Sequence, residues 1–215
     1  FERAVREHGG DRHCKGFGSR DHLVAMTFAQ LSQADSLRKL EDAFNQHQRH
    51  HYHLGVGPIR RSTLSEANSR RDPQIFASTA AALMAQAGRQ IRSHRQFMTY
   101  LLDSTTIALS GRGFEWTQEQ ATRNKGLKLH LLYASDTCRP VCQSITTVDV
   151  NDVEEGKLIA IEAGATYVFD KGYCDYSWWG RFSQAKAIFI TRLKTNAALE
   201  LAESSPISPQ YAGLI

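Results

Sequence analysis

Two aspartates each follow an apolar stretch of the sequence that has the composition of a buried strand. Asp103 ends the run that begins at residue 97, and Asp170 ends the run that begins at residue 166. An ionised carboxylate at such a position is costly unless a cation or hydrogen bonds compensate it. Two neighbouring carboxylates supply the hard oxygen ligands that Mg²⁺ or Mn²⁺ prefers, and such ions promote phosphodiester cleavage. Taken alone, each aspartate is also explained as a strand-end turn residue or a helix cap.

The elements that must position these aspartates follow from the hydrophobic spacing after about residue 96. Residues 153–163 predict a helix ending at Gly164. If the first strand pairs with the strand reached through this helical crossover, both aspartates lie at the carboxyl ends of adjacent strands. We therefore predict an α/β fold with a mixed sheet. Its strands are predicted over residues 97–103, with a further short run at 107–109, and over 127–133, 141–148, 166–170 and 187–193.

The first 95 residues carry helical spacing and several helix-start signals. Asp21 and Ser36 are predicted N-caps, Thr63 and Glu66 match a capping box, and Asp72 followed by proline predicts another helix start. Short helices in series, one with exposed Arg, Ser and Asn side chains, are typical of a helix-turn-helix layout. A helical packing domain with a solvated basic face fits the same pattern.

The composition excludes several classes of protein. The 215 residues are 41% hydrophobic and 22% charged, which excludes disordered and low-complexity chains. No apolar run approaches the roughly 20 residues of a membrane span, and no signal peptide is recognisable, so we expect a cytoplasmic protein without a membrane partner. A net charge of +4 is compatible with a polyanionic partner. The four cysteines are expected to be reduced, and Cys138 and Cys142 do not form a paired zinc knuckle.

Six short strings occur in a fixed order along the chain. The second half contains LDSTTI at 102–107, KGLKLH at 125–130 and YVFDKGY at 167–173. These resemble the catalytic domain of DDE transposases of the insertion-sequence-four type. The first half contains SLRKLE at 36–41, YHLG at 52–55 and STLSEANSR at 62–70, which resemble the N-terminal domain of one branch of that family.

The resemblance implies an RNase H-like core in which Asp103 and Asp170 are the first two members of an acidic triad and hold Mg²⁺ or Mn²⁺. It also implies cleavage of mobile-element ends, transfer of the 3′ hydroxyl to double-stranded target DNA, and a homodimer on DNA. The family's third acid is a glutamate beyond a mainly β insertion, and no matching motif occurs here. The alternative, from the spacing of shorter acidic triads, is Glu200 or Glu203.

The expected organisation is therefore a helical DNA-binding domain over residues 1–95 and an RNase H-like catalytic core over residues 96–215. The chain begins without Met and ends in an apolar run, so we expect a core truncated before the third acid. Two other functions fit the sequence. One is an RNase H-like nuclease, and the other is a catalytically incomplete DNA-binding protein or inhibitor derived from a transposase.

Basic side chains near these elements are candidates for binding DNA phosphates. Lys128 and His130 share one strand face, where they approach phosphate or the acidic centre, or are simply solvated. Tyr173 is expected to pack beside the neighbouring tryptophans rather than to stack on DNA. The other candidates, for which solubility is the second explanation, are Arg38, Lys39, Arg60, Arg61, Arg70, Arg71, Arg192 and Lys194.

Overall fold

The chain divides into two compact units. The computed structural model describes residues 1–91, 98–110, 113–118 and 124–197. One unit spans Phe1–Gln90 and the other Ile91–Ile215. Within the described residues, no helix combines the length and hydropathy that crossing a bilayer requires.

The first unit is built from helices in the part of it that is described. Its small core lies between α2, α3 and α5, where Leu40, Phe44, Ile59 and Leu64 are buried with two alanines of α2. The helices are α1 (Glu2–Glu7), α2 (Ser19–Leu31), α3 (Leu37–Gln46), α4 (Gln48–Leu54), α5 (Arg61–Arg70) and α6 (Gln74–Ile91).

Two of the predicted helix starts differ from the structure. Ser36 caps α3 as predicted, since its hydroxyl accepts the Lys39 amide at 3.3 Å. The prediction for Asp21 is wrong in detail, because α2 begins earlier and Asp21 accepts a hydrogen bond from the Gly18 amide at 2.8 Å. In α2, Asp21 therefore occupies the third helical position.

The predicted capping box in α5 is wrong. The helix begins at Arg61, so Thr63 lies inside it and cannot act as its cap. The reason lies two residues before the helix, at Ile59, which is buried. The backbone amide of Ile59 donates to the Asn45 side chain, and its carbonyl accepts a hydrogen bond from the same side chain. This anchor directs the chain into α5 earlier than the local pattern indicates.

The second unit contains a five-stranded mixed sheet with the order β3-β2-β1-β4-β5. Strands β1, β2 and β3 pair antiparallel, while β4 pairs parallel to both β1 and β5. This is the strand arrangement of an RNase H-like core, as predicted. The strands are β1 (Thr99–Ala108), β2 (Gly126–Ala134), β3 (Arg139–Thr147), β4 (Thr166–Phe169) and β5 (Ile188–Thr191).

The first strand is longer than predicted. Asp103 lies in the middle of β1, not at its end, and the predicted short run at 107–109 continues the same strand to Ala108. Pairing with β2 explains the extension, because the ladder runs on from Asp103↔Leu131 to Ala108↔Gly126. The parallel ladder with β4 stops at Leu102. Just before Asp103, β1 therefore has a paired strand on both sides, and from Asp103 onward it pairs only with β2.

The helix after β3 is shorter than predicted. Helix α7 spans Asp152–Gly156 instead of extending to residue 163. The hydroxyl of buried Tyr167 accepts the Glu162 amide at 2.9 Å and donates to the Ala160 carbonyl at 3.2 Å. These bonds use backbone groups that a continuing helix would need, so the chain leaves the helix and returns to β4.

Helix α8 (Tyr176–Gln184) packs its aromatic side chains against the sheet. Trp178 and Phe182 are buried and contact Phe169 of β4, with ring centroids 5.0 and 5.8 Å from its ring. Asp175 caps the helix by accepting the Trp178 amide at 2.8 Å. The cap and the aromatic core together fix the segment that follows Asp170.

A pH-dependent contribution to stability is expected from Asp175. Hydrogen bonds from Ser177 at 2.6 Å, Lys157 at 2.9 Å and the Trp178 amide hold the pKa of Asp175 well below its usual value. Its stabilising effect is therefore complete above about pH 4 and is lost as the pH falls further. We expect Asp175→Asn to lower the free energy of unfolding by about 1 kcal/mol at pH 7, with a smaller difference at pH 3.

Urea unfolding at the two pH values measures this difference. Asp149→Asn is the matched control, because it removes the same charge from an exposed side chain. A difference between wild type and Asp175→Asn that stays constant or grows on acidification would contradict the prediction.

Candidate active site

Parallel pairing of β1 with β4 sets Asp103 and Asp170 at neighbouring positions. Leu101 pairs with Val168 and Leu102 with Phe169, and the two aspartates are the next residue on each strand. Adjacent strands lie about 4.8 Å apart, so the two side chains start from neighbouring backbone positions where β4 ends. Both side chains are exposed. The register thus gives two acidic residues, 67 positions apart in sequence (170 − 103), neighbouring backbone positions at the end of β4.

The oxygen atoms of the pair are suited to a divalent cation. Asp103 Oδ1 accepts the Ser104 amide at 2.8 Å, and Asp170 Oδ1 accepts the Gly172 amide at 2.6 Å. Arg192 Nη2 lies 3.9 Å from Asp170 Oδ2. Asp103 Oδ2 forms no hydrogen bond within the described part of the chain. Exposed carboxylates with oxygens still available are the ligand type that Mg²⁺ and Mn²⁺ take, so the residues present fit such an ion.

The described residues supply two acids to this centre. In the described ranges, no cluster of three or more His, Cys, Asp or Glu side chains has an arrangement that could hold a metal ion. Glu200 and Glu203 lie outside the described residues.

A buried tyrosine lies next to the acidic pair. Tyr173 belongs to the short 3-10 turn Lys171–Tyr173 that follows Asp170, and its ring packs against Trp178 with centroids 6.2 Å apart. The predicted packing beside tryptophan is confirmed. Burial, and then the negative charges of Asp152, Asp103 and Asp170, raise the pKa of Tyr173 well above its usual value, while nearby Ser104 acts in the lowering direction. The hydroxyl is therefore neutral at physiological pH.

The close packing around Tyr173 leaves little room on its helix side. A Cβ atom at Gly156 of α7 would lie 3.1 Å from Tyr173 Cδ1 and 3.2 Å from Trp178 Cη2. We expect Gly156→Ala to lower the free energy of unfolding by about 1–3 kcal/mol, because ring atoms on both sides must shift. The measurement is urea unfolding followed by circular dichroism.

Gly180→Ala is the matched control for this substitution. Gly180 lies inside α8 and a Cβ there meets no atom within 4 Å, so alanine is expected to be neutral or stabilising by up to about 1 kcal/mol. Equal effects of the two substitutions would show that the space beside Tyr173 is not limiting.

Asp152 lies close to two predicted site residues of β2. Its Oδ1 lies 3.1 Å from Lys128 Nζ and 3.8 Å from His130 Nδ1. Lys128 and His130 therefore share a face of β2. His130 is buried, which excludes the solvated alternative for that residue. Its Nε2 lies within hydrogen-bonding distance of Thr146 Oγ1, at 2.8 Å.

Sequence reasoning did not find Asp152. The local signal that could have indicated this residue is its position directly after Asn151, whose side chain caps α7. Charge pairing to Lys128 became visible only when β2 and α7 were brought together, because the residues are 24 positions apart.

The remaining basic candidates fall into three groups. Arg71 is largely buried within the helical unit, with a side chain 8% exposed that donates to the Phe17 carbonyl at 2.9 Å. Lys39 and Arg70 form exposed ion pairs with Asp35 and Glu66, at 2.6 and 2.7 Å. The third group is exposed and forms no ion pair in the described ranges: Arg38, Arg60, Arg61 and Lys194.

Comparison with known families agrees with the fold. Residues 95–212 match the family model described as Transposase DDE domain, and residues 1–57 match one described as Domain of unknown function (DUF4372). The chain therefore belongs to the Transposase DDE domain family.

The chain is also similar to individual proteins that are named as transposases. The chain is 43% identical over 144 residues to a Sinorhizobium fredii protein named "Putative transposase y4zB", an alignment that covers 67% of this chain and 40% of that protein. The chain thus spans about two fifths of the length of this curated relative. A cryo-EM structure of piggyBac transposase in a synaptic complex with hairpin DNA superposes with a TM-score of 0.38 at 12% identity, covering 65% of this chain and 34% of that one. Similarity at that level carries no argument about this site.

Proposed function

We propose that this chain is part of a DNA transposase of the insertion-sequence-four type that cleaves the ends of a mobile element and joins them to target DNA. The observation that carries the proposal is the β1–β4 register, which ends one residue before Asp103 and Asp170. In this proposal the two carboxylates hold Mg²⁺ or Mn²⁺, which when bound activates the attacking hydroxyl and stabilises the leaving oxygen of a phosphodiester.

The protein's own groups have defined roles around that centre. The Ser104 and Gly172 amides hold one oxygen of each aspartate in place. The opposite oxygen of Asp103 is available to a ligand, and that of Asp170 lies 3.9 Å from Arg192 Nη2. Tyr173 packs in the turn after Asp170, and Asp152 pairs with Lys128 at 3.1 Å on β2. Exposed Arg192 and Lys194 follow β5 and contact DNA phosphates in this proposal.

The helical unit is proposed to bind duplex DNA, with the exposed basic residues of α3 and α5 contacting phosphates. The active form on DNA is proposed to be a homodimer acting in the cytoplasm. A third acid completes the metal site in this proposal.

Product analysis tests the function. The full reading frame is expressed, and the purified protein is incubated with linear DNA carrying the element's ends, a supercoiled target plasmid and Mg²⁺. We expect target molecules joined to element 3′ ends. Hydrolysed ends without joined target would contradict transposition and favour an RNase H-like nuclease instead, because only strand transfer links the two DNA molecules.

A further inference from the structure

The helical unit contains an open cavity with a basic lining, away from the acidic pair in sequence. Its volume is about 410 Å³, enough for a phosphate group and its ester neighbours. The loop between α1 and α2 contributes Arg12, His13 and Lys15. The end of α5 contributes Arg70, and Arg71 follows directly.

The acidic groups near this cavity already have partners. Glu66 lines the cavity and pairs with Arg70 at 2.7 Å. Asp11 Oδ1 accepts both the backbone amide and the hydroxyl of Ser19 at 2.7 Å. Arg12 and Lys15, by contrast, are exposed and form no ion pair with any described residue. The cavity therefore keeps an excess of positive charge.

Arg71 adds a largely buried guanidinium to the lining of the cavity. Its side chain is 8% exposed, its Nη2 donates to the Phe17 carbonyl at 2.9 Å, and its guanidinium lies 5.7 Å from the Phe17 ring centroid. Its Nη1 is buried and has no hydrogen-bond partner in the described ranges. Its Nη2 also lies 3.7 Å from Asp11 Oδ1, so Arg71 is already paired and the exposed guanidinium of Arg12 is the group available to an anion. Guanidinium groups match phosphate oxygens in geometry as well as in charge.

We infer that this cavity binds a backbone phosphate of duplex DNA. The inference rests on the proposed function, which makes duplex DNA the partner, and it adds Arg12, His13 and Lys15 to the DNA-binding residues that the sequence suggested. Helix α5 supports a DNA phosphate over a free one, because exposed Arg60 and Arg61 at its start continue the positive charge beyond the cavity. A free phosphate would need only the cavity itself.

The test compares two double variants of the 215-residue chain with equal loss of charge. Arg12→Gln with Lys15→Gln changes the cavity, and Arg49→Gln with Arg89→Gln removes two exposed cations of the same unit that do not line it. Binding of a fluorescent 20-base-pair duplex is followed by anisotropy between about 50 and 200 mM salt. Because each lost phosphate contact lowers the log–log salt slope by about 0.9, we expect the cavity variant to lose about one unit of slope and about tenfold in affinity relative to the control variant.

Inorganic phosphate at constant ionic strength is the second probe. We expect it to weaken duplex binding by wild type and the control variant, and to have a much smaller effect on the cavity variant. Thermal unfolding shows whether all variants are folded, which the exposure of the four substituted side chains favours.

Three results would overturn the inference. Equal salt slopes for both double variants, with wild type binding DNA, would remove the cavity site and leave the proposed function standing. Stabilisation by phosphate with no effect of the cavity variant on DNA binding would assign the cavity to free phosphate. Absence of duplex binding by wild type at every salt concentration would overturn the DNA partner itself.

Discussion

Asp103→Asn and Asp170→Asn are each expected to abolish metal-dependent DNA joining while leaving the protein folded. Asparagine keeps the size and the Oδ1 acceptor for the Ser104 or Gly172 amide, so the local hydrogen bonds of each site persist. It removes one of the two negative charges that attract a divalent ion to this centre. Loss of several kcal/mol of transition-state stabilisation corresponds to a fall in the rate of joining of at least about 10³-fold.

Two measurements separate a metal site from a structural role. Joining by the full reading frame is followed with Mg²⁺ and with Mn²⁺, and Mn²⁺ binding to the 215-residue chain is followed by the paramagnetic signal of the free ion. We expect each variant to weaken Mn²⁺ binding by at least about tenfold. In EDTA we expect the free energy of unfolding of each variant to equal that of wild type or to be slightly higher, because one of two neighbouring like charges has been removed.

Asp149→Asn serves as the control for both measurements, since Asp149 is an exposed aspartate of the same unit. DNA joining by either site variant at the wild-type rate would contradict the assignment of Asp103 and Asp170 to the metal site. A large loss of stability in EDTA would show instead that the charge of the aspartate stabilises the fold in the absence of metal.

Trp178→Ala is expected to be the most destabilising single substitution considered for the RNase H-like unit. Trp178 is 1% exposed and its ring contacts those of Phe169, Tyr173 and Phe182. Removing the indole leaves a cavity between α8 and the sheet, so we expect a loss of about 3–5 kcal/mol in the free energy of unfolding. Tyr173 loses a packing partner at the same time, so the turn after Asp170 is also expected to loosen.

Trp116→Ala is a matched control, because Trp116 is 68% exposed in the same unit. It is expected to change stability by less than about 0.5 kcal/mol. Urea unfolding followed by far-ultraviolet circular dichroism avoids dependence on tryptophan fluorescence. Similar losses for the two variants would mean that α8 is not held by this aromatic cluster.

The hydrophobic spacing of the second half was enough to predict its strand segments and an α/β fold, whereas the RNase H-like class came from the resemblance of its motifs to DDE transposases. Strands bury apolar side chains in runs, and the Ser36 cap is a local hydrogen bond, so these features follow from neighbouring residues in the sequence. Element lengths were less predictable. The extension of β1 depends on β2, and the early end of α7 depends on the Tyr167 hydroxyl, both of which are distant in sequence.

The types of the candidate site residues, and the two strand segments that carry them, were determined by the sequence itself, because hydrophobic pattern and side-chain chemistry are properties of each residue. Which carboxylates become neighbours was decided only by the parallel register of β1 and β4. The same is true of Asp152 beside Lys128 and of the unpaired nitrogen of Arg71. Long-range pairing has this effect because charge and hydrogen-bond energies depend on distance through space, which the order of residues along the chain does not specify.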